Sequence, residues 1–325
     1  MEKAKVPGDK RPRSYRTPPP VKSAGKSEGR RAILWGVVLL LLILCAFLER
    51  AGLFRKWSLA LGLTSSYEVA EGTLEAHFLD VGNGDAVFVT CGGQTLLIDA
   101  GDLSAGDTVV TYLKTHGVTR LDYIIATHAD ADHIGGMRAV AETFEVGNCL
   151  LAYMPKGSEP TTSSYIRLLR TLEERGVPVT DVKAGTVYPL GDASLAILGP
   201  VADSEDKNEQ SVVCRVIHGQ NRFLFTGDAG EEEETTLLNA GADLRAEVLK
   251  VGHHGSAFSS TAAFLKAVGA RYGVISCGVD NEYDHPHDAA LRRLNEAGVT
   301  LYRTDRRGTV KIVSDGETLA VETER

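Results

Sequence analysis

Across 325 residues the sequence holds only five cysteines and two tryptophans, and no two cysteines have the C-x-x-C spacing of a zinc knuckle. A disulfide-stapled miniprotein is thereby excluded. No segment repeats at the period of a solenoid, so the chain is not a stack of identical units. It also lacks positive charge: the formal net charge is −8, and because ten Lys/Arg and three Asp/Glu fall in residues 1–31, the remainder carries −15. Any nucleic-acid partner must then be held by something other than bulk basicity. With 43% hydrophobic and 24% charged residues the chain is not wholly disordered, and its length suits either two domains or one large α/β unit.

Only one long apolar run is present. Ala32 to Leu48 carries no charge, and its 17 residues as a helix would span about 25 Å, slightly short of a hydrocarbon core of roughly 30 Å that Arg31 and Arg50 can reach by snorkelling. We therefore expect a transmembrane helix over 32–50, with the h-region of a cleaved signal peptide as the competing reading. The Pro18-Pro19-Pro20 run and scattered Lys, Arg, Ser and Gly make residues 1–31 a disordered basic tail. The positive-inside rule puts that tail in the cytoplasm and the body outside. Residues 51–70 read as a juxtamembrane linker and 71–325 as the folded domain.

Within that domain, Leu74 to Asp80, Ala86 to Cys91 and Gln94 to Asp99 are short apolar runs parted by glycine-rich turns, a β-meander. Strand and helix then alternate: Leu121 to Thr127 before Gly135 to Phe144, Val248 to Val251 before Thr261 to Val268, Tyr272 to Cys277 before Ala289 to Ala297. Ser211 to Ile217 and Arg222 to Thr226 form a hairpin. Mixed sheets with helices outside imply a layered α/β body. The remaining cysteines, Cys91, Cys149, Cys214 and Cys277, read as small buried hydrophobes. His77, His116 and His218 read as structural, and Glu231 to Glu234 as a solvated first helical turn favoured by the helix dipole.

The richest segment is His128-Ala129-Asp130-Ala131-Asp132-His133, two imidazoles and two carboxylates in six positions directly after a buried strand, followed by Gly135-Gly136. A loop there aims several donors at one point. Three further ligand-type sites follow strands: Asp228, which otherwise caps the next helix; His253-His254, whose side chains diverge so that one ligates and the other orients; and His285 in Asp284-His285-Pro286-His287. Arg303, Arg306 and Arg307 read either as phosphate contacts or as a solvated hairpin tip, and Lys250 as a neighbour of the site or a strand cap.

With Phe78-Leu79-Asp80-Val81-Gly82-Asn83-Gly84-Asp85, Leu97-Ile98-Asp99-Ala100-Gly101, the H-x-D-x-D-H-x-G-G run, Thr226-Gly227-Asp228, His253-His254-Gly255-Ser256 and His285-Pro286, the chain from about Leu74 to Leu319 resembles the metallo-β-lactamase superfamily. Within it the chain is similar to the C-terminal hydrolase domain of the ComEC-type DNA-uptake competence proteins. The resemblance implies a four-layer αββα sandwich with two divalent metal ions at one edge between the sheets. It implies His128, Asp130, Asp132, His133, Asp228 and one of His253 and His254 as metal ligands, with Asp228 bridging. Asp99 would organise the ligands, Asp80 and Asp85 would shape the rim, and Asn208 would stand where the superfamily more often has His. Ser256 joins the residues beside substrate. Asp130 replaces the commoner His, which hardens the site towards Mn²⁺, with Zn²⁺ the other choice. Gln is the usual residue where Asn83 stands.

The implied activity is metal-assisted hydrolysis of a phosphodiester, DNA first, with Asp132 at the metals and His285 or a water protonating the leaving oxygen. Two alternatives stay open: an envelope phosphodiester such as phosphorylcholine on teichoic acid, and a metal-bound but inactive domain that partners a separate DNA-uptake channel. The competence proteins' many-helix channel has no counterpart in this sequence, so transport is not carried over.

Overall fold

The computed structural model describes residue 35, residues 70–154 and residues 157–325. Apart from residues 35 and 70, the expected tail, membrane helix and linker lie outside the described residues. Among the described residues, no helix is long and apolar enough to cross a membrane.

The body is built from two sheets. Strands β1 (Leu74–Phe78), β2 (Val87–Cys91), β3 (Gln94–Ile98), β4 (Arg120–Ala126), β5 (Glu145–Ala152), β6 (Val179–Val182), β14 (Val310–Ser314) and β15 (Leu319–Thr323) form one, in the order β15-β14-β1-β2-β3-β4-β5-β6. Strands β7 (Val187–Leu190), β8 (Ala193–Gly199), β9 (Val213–His218), β10 (Asn221–Phe225), β11 (Val248–Lys250), β12 (Tyr272–Ile275) and β13 (Thr300–Arg303) form the other, in the order β13-β12-β11-β10-β9-β8-β7.

The expected meander is β1-β2-β3, antiparallel throughout, and the expected hairpin is β9-β10, with Asn221 opposite His218. From β3 to β6 and from β10 to β13 the strands run parallel, joined by helices such as Met137–Thr143, Ala262–Val268 and Asp288–Glu296. Parallel strands need such crossovers, and the helices cover the outer faces. This accounts for β2, where all five residues are buried, whereas β8 alternates buried and half-buried residues with a period of two.

Three apolar cores result. One lies between the sheets, where Phe78 of β1 stacks on Phe225 of β10 at 6.1 Å. The others pack Val109, Leu113 and Met137 against one sheet and Leu237, Phe264 and Leu294 against the other. That is the expected αββα layering. The four cysteines of the body are free and buried, as expected.

One expectation fails. Glu231 and Glu232 are exposed at the start of helix Glu231–Asn239, but Glu233 and Glu234 are buried. Glu234 accepts hydrogen bonds from the backbone N–H groups of Ser260 and Thr261, and Glu233 from that of Val201 at 3.0 Å. They tie two loops to the helix instead of solvating it. Burial pushes both carboxyls up to about 7, against the lowering effect of those bonds.

Candidate metal centre

The loops that leave the carboxyl ends of β3, β4, β10 and β11 converge, which is where α/β sheets place ligands. Backbone bonds stitch them together: Asp85 N to Asp132 O at 3.2 Å, Ala100 N to His133 O at 2.8 Å, Val212 N to Thr127 O at 2.9 Å and His253 N to Gly227 O at 3.1 Å. Two glycines make the approach possible. A Cβ on Gly84, at φ +123°, would sit 2.2 Å from the Asp132 carbonyl oxygen, and one on Gly136 would sit 2.2 Å from that of Ala100.

Each of three imidazoles is held through Nδ1. His133 Nδ1 is 2.7 Å from Asp99 Oδ2, His254 Nδ1 is 3.0 Å from the Ser276 carbonyl oxygen, and His128 Nδ1 is 3.1 Å from Thr127 Oγ1. The Thr127 hydroxyl donates to Asp99 at 2.6 Å, so towards His128 it accepts. All three partners therefore take an N–H, which assigns the proton to Nδ1 and leaves each Nε2 lone pair facing inwards. Asp228 stands at their focus: its carboxylate oxygens lie 4.0 Å from His128 Nε2, 3.3 Å from His133 Nε2, 3.4 Å from His254 Nε2 and 3.7 Å from His253 Nε2.

The donors fall into overlapping groups. His128, His133 and Asp228 form one, and Asp132, His133 and His254 another, each with its ligand atoms within 4.8 Å of one another. Asp130 Oδ2 lies 3.6 Å from His128 Nε2. Of the adjacent histidines, His254 is buried among these groups, while His253 is one quarter exposed and reaches Asp228 alone among the carboxylates. Both hold positive φ, 48° and 53°, the turn that makes the two side chains diverge.

Do these residues fit two divalent cations? His128 Nε2, Asp228 Oδ1 and Asp85 Oδ1 are buried and make no hydrogen bond. Each such atom costs about 1–3 kcal/mol when left unpaired, and all three are electron-pair donors of the kind a divalent cation takes, although Lys250 already holds the other oxygen of Asp85. The charges agree. Burial lowers His133, yet Asp228 and Asp99 raise it well above the ordinary imidazole range; burial lowers His254, yet Asp228 and Asp85 raise it likewise. Burial raises Asp228, and the His133 and His254 charges outweigh it and hold Asp228 well below the usual carboxylate range. The pocket demands positive charge at its centre. Nε2 of His133 and of His254 lie 3.3 Å apart, too close for each to point a proton at the other. The donor set fits the cations.

Asp99 is fully buried and hydrogen-bonds to Thr127 and His133, which ties it to the cluster. Asp85 lies beneath it, its Oδ1 3.3 Å from His254 Nδ1 and its Oδ2 2.7 Å from Lys250 Nζ. Lys250 is thus a neighbour of the site. Asn208 is on the loop that carries Ser211, whose hydroxyl lies 3.4 Å from His128 Nδ1; its own Oδ1 is buried without a hydrogen bond. Asp80 pairs with Arg325 at 2.7 Å, and its side chain belongs to none of the ligand groups. Ser256 is buried, and its hydroxyl accepts from Phe258 N at 3.3 Å, closing the turn after the histidines. Arg303 is engaged by Asp305 at 2.7 Å, while Arg306 and Arg307 are exposed.

His285 is buried with an unbonded Nδ1, 5.6 Å from the His253 ring and 6.0 Å from the His254 ring by centroids. Burial, then the charges of His254, His253 and His287, bring it down to about 4, with Asp228 opposing. That direction favours the neutral ring, which accepts a proton more readily than it gives one.

Lys207 was not legible as a site residue. Its ammonium pairs with Asp130, and that pair together with His128 brings the Asp130 carboxyl down to about 2 against the raising effect of burial. No motif surrounds it, and an exposed lysine in a polar loop is unremarkable in sequence. Thr127 and Ser211 were hidden as ordinary strand-end hydroxyls.

The model of the family described as the metallo-beta-lactamase superfamily matches residues 79–279. ComE operon protein 3 of Bacillus subtilis is 33% identical over 258 residues, 73% of this chain and 32% of that protein. Competence protein ComA of Neisseria gonorrhoeae is 33% identical over 284 residues, 84% of this chain and 38% of that protein. This chain thus spans about a third of the length of these relatives, which are of ComEC type. Among solved structures, CmlA, a diiron beta-hydroxylase from Streptomyces venezuelae, superposes with a TM-score of 0.50 at 15% identity, covering 72% of this chain and 53% of that one, which bears on the fold alone. On the family match, the two facing sheets and the clustered His and Asp side chains, the chain belongs to the metallo-beta-lactamase superfamily.

Proposed function

We propose that the protein is a metal-dependent hydrolase of phosphodiesters, with DNA the foremost substrate. The observation that carries this reading is the convergence of His128, Asp130, Asp132, His133, Asp228 and His254 on one point, with Asp228 within 4.0 Å of the Nε2 atoms of His128, His133 and His254. These residues would hold two divalent ions, Mn²⁺ or Zn²⁺. Bound there, such ions supply a nucleophile at neutral pH and stabilise charge on a phosphoryl group.

The chain's own residues divide the remaining work. Asp99, Thr127 and the Ser276 carbonyl oxygen fix the imidazole tautomers, so the donors need no rearrangement as the reaction proceeds. Lys207 puts an ammonium beside Asp130 at the open side, where it meets a phosphate oxygen and offsets the acidic body. His285 keeps a neutral imidazole at the mouth and takes or shares a proton there. The competence-protein relatives favour DNA. The charge of −15 outside residues 1–31 favours the second reading, a less highly charged envelope phosphodiester such as phosphorylcholine on teichoic acid. We place the body outside the cell, anchored through the apolar run at 32–48 and working beside a separate DNA-uptake channel.

The test is hydrolysis of labelled single- and double-stranded DNA and of glycerophosphocholine by the Mn²⁺- and Zn²⁺-loaded chain, with Asp132→Ala as control. Cleavage of DNA lost in the control is expected. Tight metal binding without cleavage of any diester would favour the inactive binding partner.

A further inference from the structure

Three aromatic rings lead from the metal cluster to solvent. His254 is 2% exposed, His285 8% and Tyr283 54%. Their planes are close to parallel: His254 and His285 meet at 31° with centroids 6.0 Å apart, His285 and Tyr283 at 24° and 5.7 Å. Tyr283 therefore continues, at the surface, a set of rings that begins at a metal ligand. It lies two ring spacings from His254.

The loop that presents it is set in advance. Asn281 Oδ1 accepts from Tyr283 N at 3.3 Å and from His285 N at 2.9 Å, while Asn281 Nδ2 donates to the carbonyl oxygens of Gly278 at 3.0 Å and His285 at 2.6 Å. One amide thus fixes both ends of the Tyr283–His285 step, and little order remains to be imposed when a ligand stacks. The hydroxyl stays protonated: Glu282, then burial and the charges of Asp132 and Asp130, raise it above the ordinary phenol range. The His285 ring, 5.7 Å away by centroids, links it to the cluster. A half-exposed ring beside a phosphodiester site offers nothing specific to an uncharged aliphatic alcohol such as glycerol, whereas a nucleobase lays its π-face on it and a quaternary ammonium such as choline sits over its face.

We propose that Tyr283 is the base-stacking platform of the substrate site, holding the nucleobase next to the scissile phosphate and so selecting nucleic-acid strands with an unpaired base over aliphatic phosphodiesters. This rests on the phosphodiester reading above. Removal of a stacking ring costs on the order of tenfold per base.

The experiment uses the full chain and two readouts. Binding of fluorescent oligothymidylate to metal-depleted protein is followed by anisotropy, and kcat/KM is measured on thymidine dinucleotide and on glycerophosphoglycerol, which has neither a base nor a quaternary ammonium to place on the ring, with metal restored. In Tyr283→Ala, oligothymidylate affinity should fall about tenfold and the preference for dinucleotide over glycerophosphoglycerol should fall by a similar factor through KM; Tyr283→Phe should restore both. A merely structural role would lower both substrates together and leave the ratio unchanged, which overturns the proposal, as would unaltered affinity in Tyr283→Ala. If the unmodified chain cleaves glycerophosphoglycerol but neither binds nor cleaves the nucleotides, the stacking proposal falls and the phosphodiesterase reading stands. If it cleaves no diester, that reading falls, and the anisotropy alone decides whether Tyr283 binds bases.

Discussion

Lys250 Nζ lies 2.7 Å from Asp85 Oδ2, and both side chains are buried, at 1% and 3% exposure. The ammonium also donates to the Val251 carbonyl oxygen at 2.9 Å. Asp85 could otherwise group with Asp228 and His254 as a metal ligand; Lys250 engages one of its oxygens and leaves the other beside His254. Lys250→Met removes the partner and strands a buried carboxylate, which should cost about 3–5 kcal/mol of unfolding free energy in urea, and Asp85→Asn in the same chain should recover part of it. A loss under 1 kcal/mol would show that the pair does not hold the site.

Asp99 sets the tautomer of His133. Asp99→Asn turns an acceptor into a group that also donates, which favours the proton on Nε2 and removes its lone pair from the cluster. Metal affinity, read by chelator competition, should fall about 10–100-fold while the circular dichroism of the fold persists.

His254 and His253 should separate in metal content. His254 lies among Asp132, His133 and Asp228, whereas His253 is at the edge. His254→Ala should bind one ion fewer per chain by elemental analysis, and His253→Ala should keep the full complement. The reverse result would exchange their roles.

The buried carboxylates should leave a mark on pH dependence. Burial pushes Glu234 up from 4.5 to about 7, so the folded chain holds that proton over an interval in which the unfolded chain releases it. Its contribution to stability is present below pH 4.5 and is lost as pH rises through 7. Glu234→Gln cannot titrate. The difference in unfolding free energy between the two proteins should therefore move by about 3 kcal/mol against the unmodified chain between pH 4.5 and pH 7.5. A difference independent of pH would contradict this.

Much of the site was legible because its chemistry is compressed: six positions from His128 to His133 bring four donors, and each later donor follows an apolar strand. What was hidden depends on the third dimension. Which of two adjacent histidines turns inwards is decided by backbone at φ 48° and 53°. Lys250 sits in the apolar strand Val248–Lys250, where the sequence does not say that Asp85 waits opposite. Glu233 and Glu234 look like their solvated neighbours until the loops at Val201 and Ser260 are seen to fold over them. In the fold, the meander and the strand–helix alternation were readable from local pattern. The pairing of β14 with β1, more than two hundred residues apart in sequence, carries no local signal.

The most direct measurement counts divalent ions bound per chain and follows cleavage of labelled DNA on the same samples, for the unmodified chain and Asp132→Ala. Two ions per chain, with cleavage that appears on metal addition and is lost in Asp132→Ala, is the predicted result. No stoichiometric metal, or cleavage indifferent to Asp132→Ala, would contradict it.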